Sequence, residues 1–85
     1  MYALVFTEKA KRQYEDLDER FRRQVDKGLN RIARSPRSGK ALRGELRGIW
    51  SERVSTFRIL YKIYEDRIEV LVVVIEHRKS VYGGH

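Results

Sequence analysis

Two stretches of this chain carry side chains that chemistry can use. The end of the chain, IEHRKSVYGGH, places Glu76, His77, Arg78, Lys79 and Tyr82 within seven positions, directly after the apolar run VLVVVI. The segment FRILYKIY, residues 57–64, alternates Phe57, Ile59, Tyr61 and Ile63 with Arg58, Leu60, Lys62 and Tyr64. Strand alternation sends the first set to one sheet face and the second to the other. Arg58 and Lys62 then project together. Arg53 lies a short hairpin away, and Arg78 leaves the end of the last strand close by. Cations gathered this way repel one another, and such a cluster persists when an anion occupies it. Guanidinium groups fork onto phosphate oxygens. A phosphate-binding surface is the chemistry these residues point to.

The elements that must position them follow from the rest of the chain. YALVF, residues 2–6, is rich in strand formers and predicts a first strand. Thr7 caps a helix whose apolar residues Ala10, Tyr14 and Leu17 recur at helical spacing. Asp18 caps a second helix with the stripe Phe21, Val25, Leu29 and Ile32. Its other faces carry Arg20, Arg22, Arg23, Lys27, Arg31 and Arg34. SPRSG ends it, because Ser35 before Pro36 is driven out of helical geometry. Gly28 inside this helix costs about 1 kcal/mol relative to alanine, which a close approach to a neighbouring element would explain. KALRGEL and IWSERV, on either side of Gly48, predict strands, followed by FRILYKIY, an EDR turn and the near-continuously apolar IEVLVVVI of a central strand. The order is β-α-α-β-β-β, an α+β fold with a small, curved, mostly antiparallel sheet of four strands. Two helices cannot cover both faces of it, so they pack on one and leave the other partly open.

Composition narrows the partners. The 85 residues make one domain, 1–85, with net charge +7 and 13 arginines against six lysines. This excess favours an anionic ligand, nucleic acid above all, and is compatible with an acidic protein. There is no cysteine, and two histidines lack any paired ligand spacing, so no disulfide, metal or other cofactor is expected. A reducing cytoplasm suits such a chain. YALVF is too short for a signal peptide, and no run reaches membrane-spanning length, so no membrane partner is expected.

The residues LRGELRGIWSERVSTFRILYKIYEDRIEVLVVVIEHRKSVY, with the helix pair ending in SP, resemble the RelE branch of the RelE/ParE toxin superfamily. The matching pieces are LRG before a strand, FRILYKI before an acidic turn, the apolar strand, and HRKSVY at its end. The resemblance implies a toxin that cuts mRNA in the ribosomal A site without a metal. The 2′-hydroxyl attacks the adjacent phosphate and leaves a 2′,3′-cyclic phosphate and a 5′-hydroxyl. By position it assigns Arg58 and Arg78 to phosphate and transition-state binding. It assigns Tyr82 to base stacking or proton transfer, and Arg53 to a place where a lysine is common. Lys62, Arg43, Arg47 and Lys79 complete the expected RNA- and phosphate-binding set. The partners implied are mRNA, ribosomal RNA and a RelB-like antitoxin, acidic where it covers this basic surface.

Two departures leave the proton acceptor open. Ser51 stands where another lysine is common, and Arg53 is an arginine, which stays protonated. Histidine is the side chain whose intrinsic pKa suits neutral pH, which makes His77 the leading candidate. Glu52, Glu76 and His85 are weaker ones. Strand alternation sends His77 and Arg78 to opposite faces, which counts against His77 unless the strand has ended. The chain runs three residues past Tyr82, so the C-terminal helix of longer relatives is not expected. Each residue also has a plainer role. Arg58 and Lys62 fit a solvated sheet face, Trp50 fits the core, and LRGELRG fits hairpin turns. Two other functions share the fold: a ParE-like inhibitor of DNA gyrase, and a degenerate toxin that retains antitoxin binding alone.

Overall fold

A computed structural model describes residues 1–77. The elements are β1 (Ala3–Phe6), α1 (Glu8–Asp16), α2 (Glu19–Arg34), β2 (Lys40–Ala41), β3 (Trp50–Val54), β4 (Phe57–Tyr64) and β5 (Glu69–His77). One mixed sheet has the strand order β1-β5-β4-β3-β2, with β1 parallel to β5 and every other pair antiparallel.

Local chemistry sets the helix ends. Thr7 Oγ1 accepts the Ala10 N–H at 3.0 Å, and Asp18 Oδ1 accepts the Phe21 N–H at 3.0 Å. Each side chain satisfies a donor that the first helical turn leaves unpaired. Ser35, ahead of Pro36, ends α2 with φ −147° and ψ 73°. Both helices cover one sheet face. Val25, Leu29 and Ile32 of α2 and Ala10 of α1 pack onto Phe57, Ile59 and Tyr61 of β4 and Val70, Val72 and Ile75 of β5. Trp50 is half-buried against this core.

Gly28 is explained by contact. A Cβ there would lie 3.0 Å from Ile59 Cδ1 and 3.1 Å from Val54 Cγ1, so glycine lets α2 settle onto β3 and β4. Tyr14 Oη donates to Asp26 Oδ1 at 2.7 Å and ties α1 to α2. At the far end of the sheet, Tyr2 Oη donates to Glu65 Oε1 at 2.5 Å, and Arg37 pairs with the same carboxylate. These bonds hold Glu65 below the usual carboxylate range, the Tyr2 hydroxyl contributing most.

All five segments read as strands form strands, one more than the order β-α-α-β-β-β counts. KALRGEL supplies only the two residues of β2, and Gly44–Leu46 forms a tight 3₁₀ turn instead of continuing it. Gly44 and Gly48 take φ +68° and +94°, and such values bend the chain out of a strand. Of the five strands the second is a stub.

The second difference lies in β5. Tyr61 pairs with Val72, but Leu60 pairs with Val74, so Val73 is an extra residue, a β-bulge. Beyond it, Ile59 faces Ile75, Arg58 faces Glu76 and Phe57 faces His77. The bulge lets Val74 and Ile75 both be buried, which accounts for part of the continuous apolar run. Thr7 holds this irregularity. Its hydroxyl donates to the Val73 carbonyl at 2.7 Å, and its N–H donates to the Val72 carbonyl at 3.0 Å. Past the end of β1, Gln13 Oε1 accepts the Ile75 N–H at 2.8 Å. One α1 side chain thus takes the place of a strand neighbour.

Candidate active-site groove

The uncovered sheet face carries the site. Phe57, Ile59 and Tyr61 point to the helices, so Arg58 and Leu60 point away. On β3, Glu52 and Val54 are buried, and Ser51 and Arg53 alternate onto the uncovered side. Arg53 pairs across the sheet with Arg58, and Arg58 with Glu76. One row of the sheet thus reads Arg53, Arg58, Glu76. Like charges directly opposite destabilise a strand pair. The Arg53–Arg58 register sets two such like charges directly opposite each other.

These residues line a groove of about 630 Å³, together with Ser51, Glu52, Leu60, Ser38, Gly39, Lys40, Leu42 and Leu46. That is within the common size range of ligand sites. Lys40 enters because β2 pairs Lys40 with Ser51. The stub strand and the turn after it form the far wall. That wall is anchored from the core side. Tyr61 Oη donates to the Pro36 carbonyl at 2.6 Å. Burial, and then the nearby charge of Glu52, push the Tyr61 phenol up to about 12. Gly39 passes so close that a Cβ would overlap Tyr61 Oη and lie 2.9 Å from the Ser51 carbonyl oxygen.

Arg53 and Arg58 come together in the groove. Lys62 is exposed on the same face, four positions along β4, and does not line it. Arg43 and Arg47 flank the tight turn and are exposed, while Leu42 and Leu46 from that segment face the groove. Arg78, Lys79, Tyr82 and His85 lie outside the described residues.

His77 is on the opposite face. It pairs with Phe57, and its ring meets Phe57 edge-on at 4.9 Å and the Phe21 ring of α2 at 6.2 Å. It lines a shallow hollow with Gln13, Asp16 and Leu17 on the helix side of the sheet, whose rim Glu76 also reaches from the strand edge it shares with the groove. Glu52 is also turned to the helices. Its carboxylate accepts the Arg31 Nε–H at 2.8 Å, and its side chain is only 11% exposed. Arg31 Nη2 also reaches the Arg53 carbonyl at 3.4 Å. Glu52 therefore joins α2 to β3. Of the two candidate carboxylates, Glu76 is the one whose strand position faces the groove.

Lys40, Ser38 and the placement of Glu76 were not foreseen. The signal for Lys40 is the β2–β3 register, which no local pattern encodes. Several α2 cations also have structural roles. Arg22 is half-buried and donates to the Leu17 carbonyl at 2.8 Å, Arg31 serves Glu52, and Arg23 pairs with Glu19 at 2.7 Å. Lys27 and Arg34 are both exposed and line a hollow with Met1 and Asn30 rather than the groove.

Residues 4–82 match the model of the family described as the ParE toxin of type II toxin–antitoxin systems, parDE. Toxin RelG from Mycobacterium tuberculosis is 35% identical over 83 residues, which is 95% of each chain. The toxin–antitoxin complex RelBE2 from the same organism contains a chain that superposes with a TM-score of 0.81 and 35% identity, over 91% of this chain and 98% of that one. The isolated RelE toxin of E. coli gives a TM-score of 0.79 and 28% identity, over 99% of this chain and 94% of the other. An open groove with paired arginines thus sits on a fold shared with RelE, in a chain that belongs to the ParE-toxin family of type II toxin–antitoxin systems, within the RelE/ParE superfamily.

Proposed function

We propose that this toxin is an mRNA endoribonuclease of the RelE type, acting on mRNA in the ribosomal A site and using the uncovered sheet face. The observation that carries the reading is the row Arg53, Arg58, Glu76 beside Lys40 in one groove. Cleavage by 2′-hydroxyl attack needs fixed positive charge on the phosphoryl oxygens, a proton acceptor at the 2′-oxygen and a proton for the departing 5′-oxygen. Arg58, in the middle of the row, is placed to hold the scissile phosphate. Arg53 supplies a second guanidinium from the next strand, and Lys40 steers the neighbouring backbone. Arg78 and Tyr82 join them by resemblance, Arg78 on the phosphate and Tyr82 on a base or the leaving oxygen. Lys27 and Arg34 suit contact with ribosomal RNA backbone, an interaction that weakens steeply with salt. The partner in the cell is a RelB-like antitoxin, as the RelBE2 complex is a toxin–antitoxin pair, with acidic residues where it meets the basic groove.

A second reading has one observation in its favour: the matching family model carries the name of ParE. A ParE-like toxin binds DNA gyrase and cuts nothing. Primer extension on cellular mRNA during induction separates the two. The nuclease reading expects new 5′ ends between codon positions within minutes, lost in Arg58→Ala. Intact mRNA with altered plasmid supercoiling would replace it with the gyrase reading.

A further inference from the structure

We infer that Glu76 is the general base of this toxin, the group that removes the proton from the attacking 2′-hydroxyl. This assignment rests on the endonuclease reading above and goes beyond it by naming the proton acceptor. Among the described residues that line the groove, the side chains with titratable or permanent charge are Lys40, Glu52, Arg53, Arg58 and Glu76. Ammonium and guanidinium groups donate hydrogen bonds and do not accept them. The Glu52 carboxylate is turned to the helices and held by Arg31. His77 is turned to Phe57 and Phe21. Glu76 remains, and it stands directly across from Arg58 in the sheet register.

The position is specific to the bulge. Counted from buried Val70 and Val72, strict alternation sends Glu76 under the helices and His77 to the open face. The extra residue Val73 exchanges them. A carboxylate in a groove that receives phosphate also weakens binding by repulsion. Its place beside the phosphate-holding arginine is what a base requires, because the 2′-oxygen lies next to the phosphorus it attacks.

In the step, the Glu76 carboxylate accepts the 2′-hydroxyl proton as the 2′-oxygen bonds to phosphorus. The bond from phosphorus to the 5′-oxygen breaks, its electron pair leaves with that oxygen, and the 5′-oxygen takes a proton from solvent. The products are a 2′,3′-cyclic phosphate and a 5′-hydroxyl. Glu76 then releases its proton to water.

The test is single-turnover cleavage of mRNA in programmed ribosomes by the purified full-length toxin, measured against pH. Wild type, Glu76→Gln and Glu76→Asp are compared, each first shown to be folded by its thermal transition. A general base contributes about 100-fold or more. Glu76→Gln is expected to cleave ~100-fold more slowly and to lose the fall in rate on the acid side, with Glu76→Asp retaining that fall and part of the rate. Cleavage by Glu76→Gln within threefold of wild type would overturn the assignment. So would a slow variant that keeps the acid-side fall, since Glu76 would then only orient Arg58. Wild-type toxin that leaves the mRNA intact would remove the endonuclease reading and, with it, this one.

Discussion

The two faces of the sheet treat the same kinds of side chain in opposite ways. On the helix-covered face, Glu52 is locked to Arg31, and His77 is stacked edge-on against Phe57 and Phe21. On the uncovered face, Glu76 and two arginines stand in one row around a groove. Charge under the helices is paired because leaving it unpaired in a desolvated place is expensive. Charge on the groove side sets Arg53 beside Arg58 with Glu76 next in the row, an arrangement that suits the phosphate ligand proposed above. Residue type therefore does not separate structural from functional groups in this molecule. Sheet parity is what separates the paired groups from those of the proposed site, and one bulge sets that parity for the end of β5.

The largest effect on this contrast is expected where the two faces share a support. Gly39 lines the groove and also abuts the hydroxyl of Tyr61, whose ring is in the core. Gly39→Ala should cost about 2–3 kcal/mol by overpacking, read as a lowered denaturant midpoint, and should reduce cleavage by the molecules still folded. A wild-type midpoint would show that the groove wall is not anchored through Tyr61.

A smaller effect is expected at Thr7. Thr7→Val removes both the N-cap of α1 and the bond that holds the Val73 bulge. The cap alone is worth about 1 kcal/mol. A loss of roughly 1–2 kcal/mol is expected, with faster amide exchange in residues 73–77 as the bulge loosens. Exchange unchanged in that segment would mean that β4 pairing alone holds the bulge.

Much of this is legible in the chain. Thr7, Asp18 and Ser35-Pro36 mark the helix ends through local hydrogen bonding and sterics. The alternation of β4 separates Phe57, Ile59 and Tyr61 from Arg58, and with the short hairpin it is enough to bring Arg58 and Arg53 together. Gly28 announces a close approach, which Ile59 and Val54 fill. The remainder depends on pairing between distant segments. Nothing near Lys40 says that it will lie across from Ser51. The run VLVVVI hides its bulge, because every residue in it is apolar and either register buries well. That one hidden residue decides which of Glu76 and His77 enters the groove. The histidine, with its convenient titration range, is the natural choice from residue type alone, and the bulge turns it away.

The most direct test of the central claim, that cleavage chemistry belongs to the uncovered face, is one pair of single-turnover rates. His77→Gln and Arg58→Ala are measured side by side on mRNA in programmed ribosomes at neutral pH. The account predicts that Arg58→Ala falls ~100-fold or more, as for loss of a transition-state donor, while His77→Gln stays within about threefold of wild type per folded molecule. A His77→Gln rate as low as that of Arg58→Ala, with a flattened acid limb, would contradict it and return the proton transfer to the histidine.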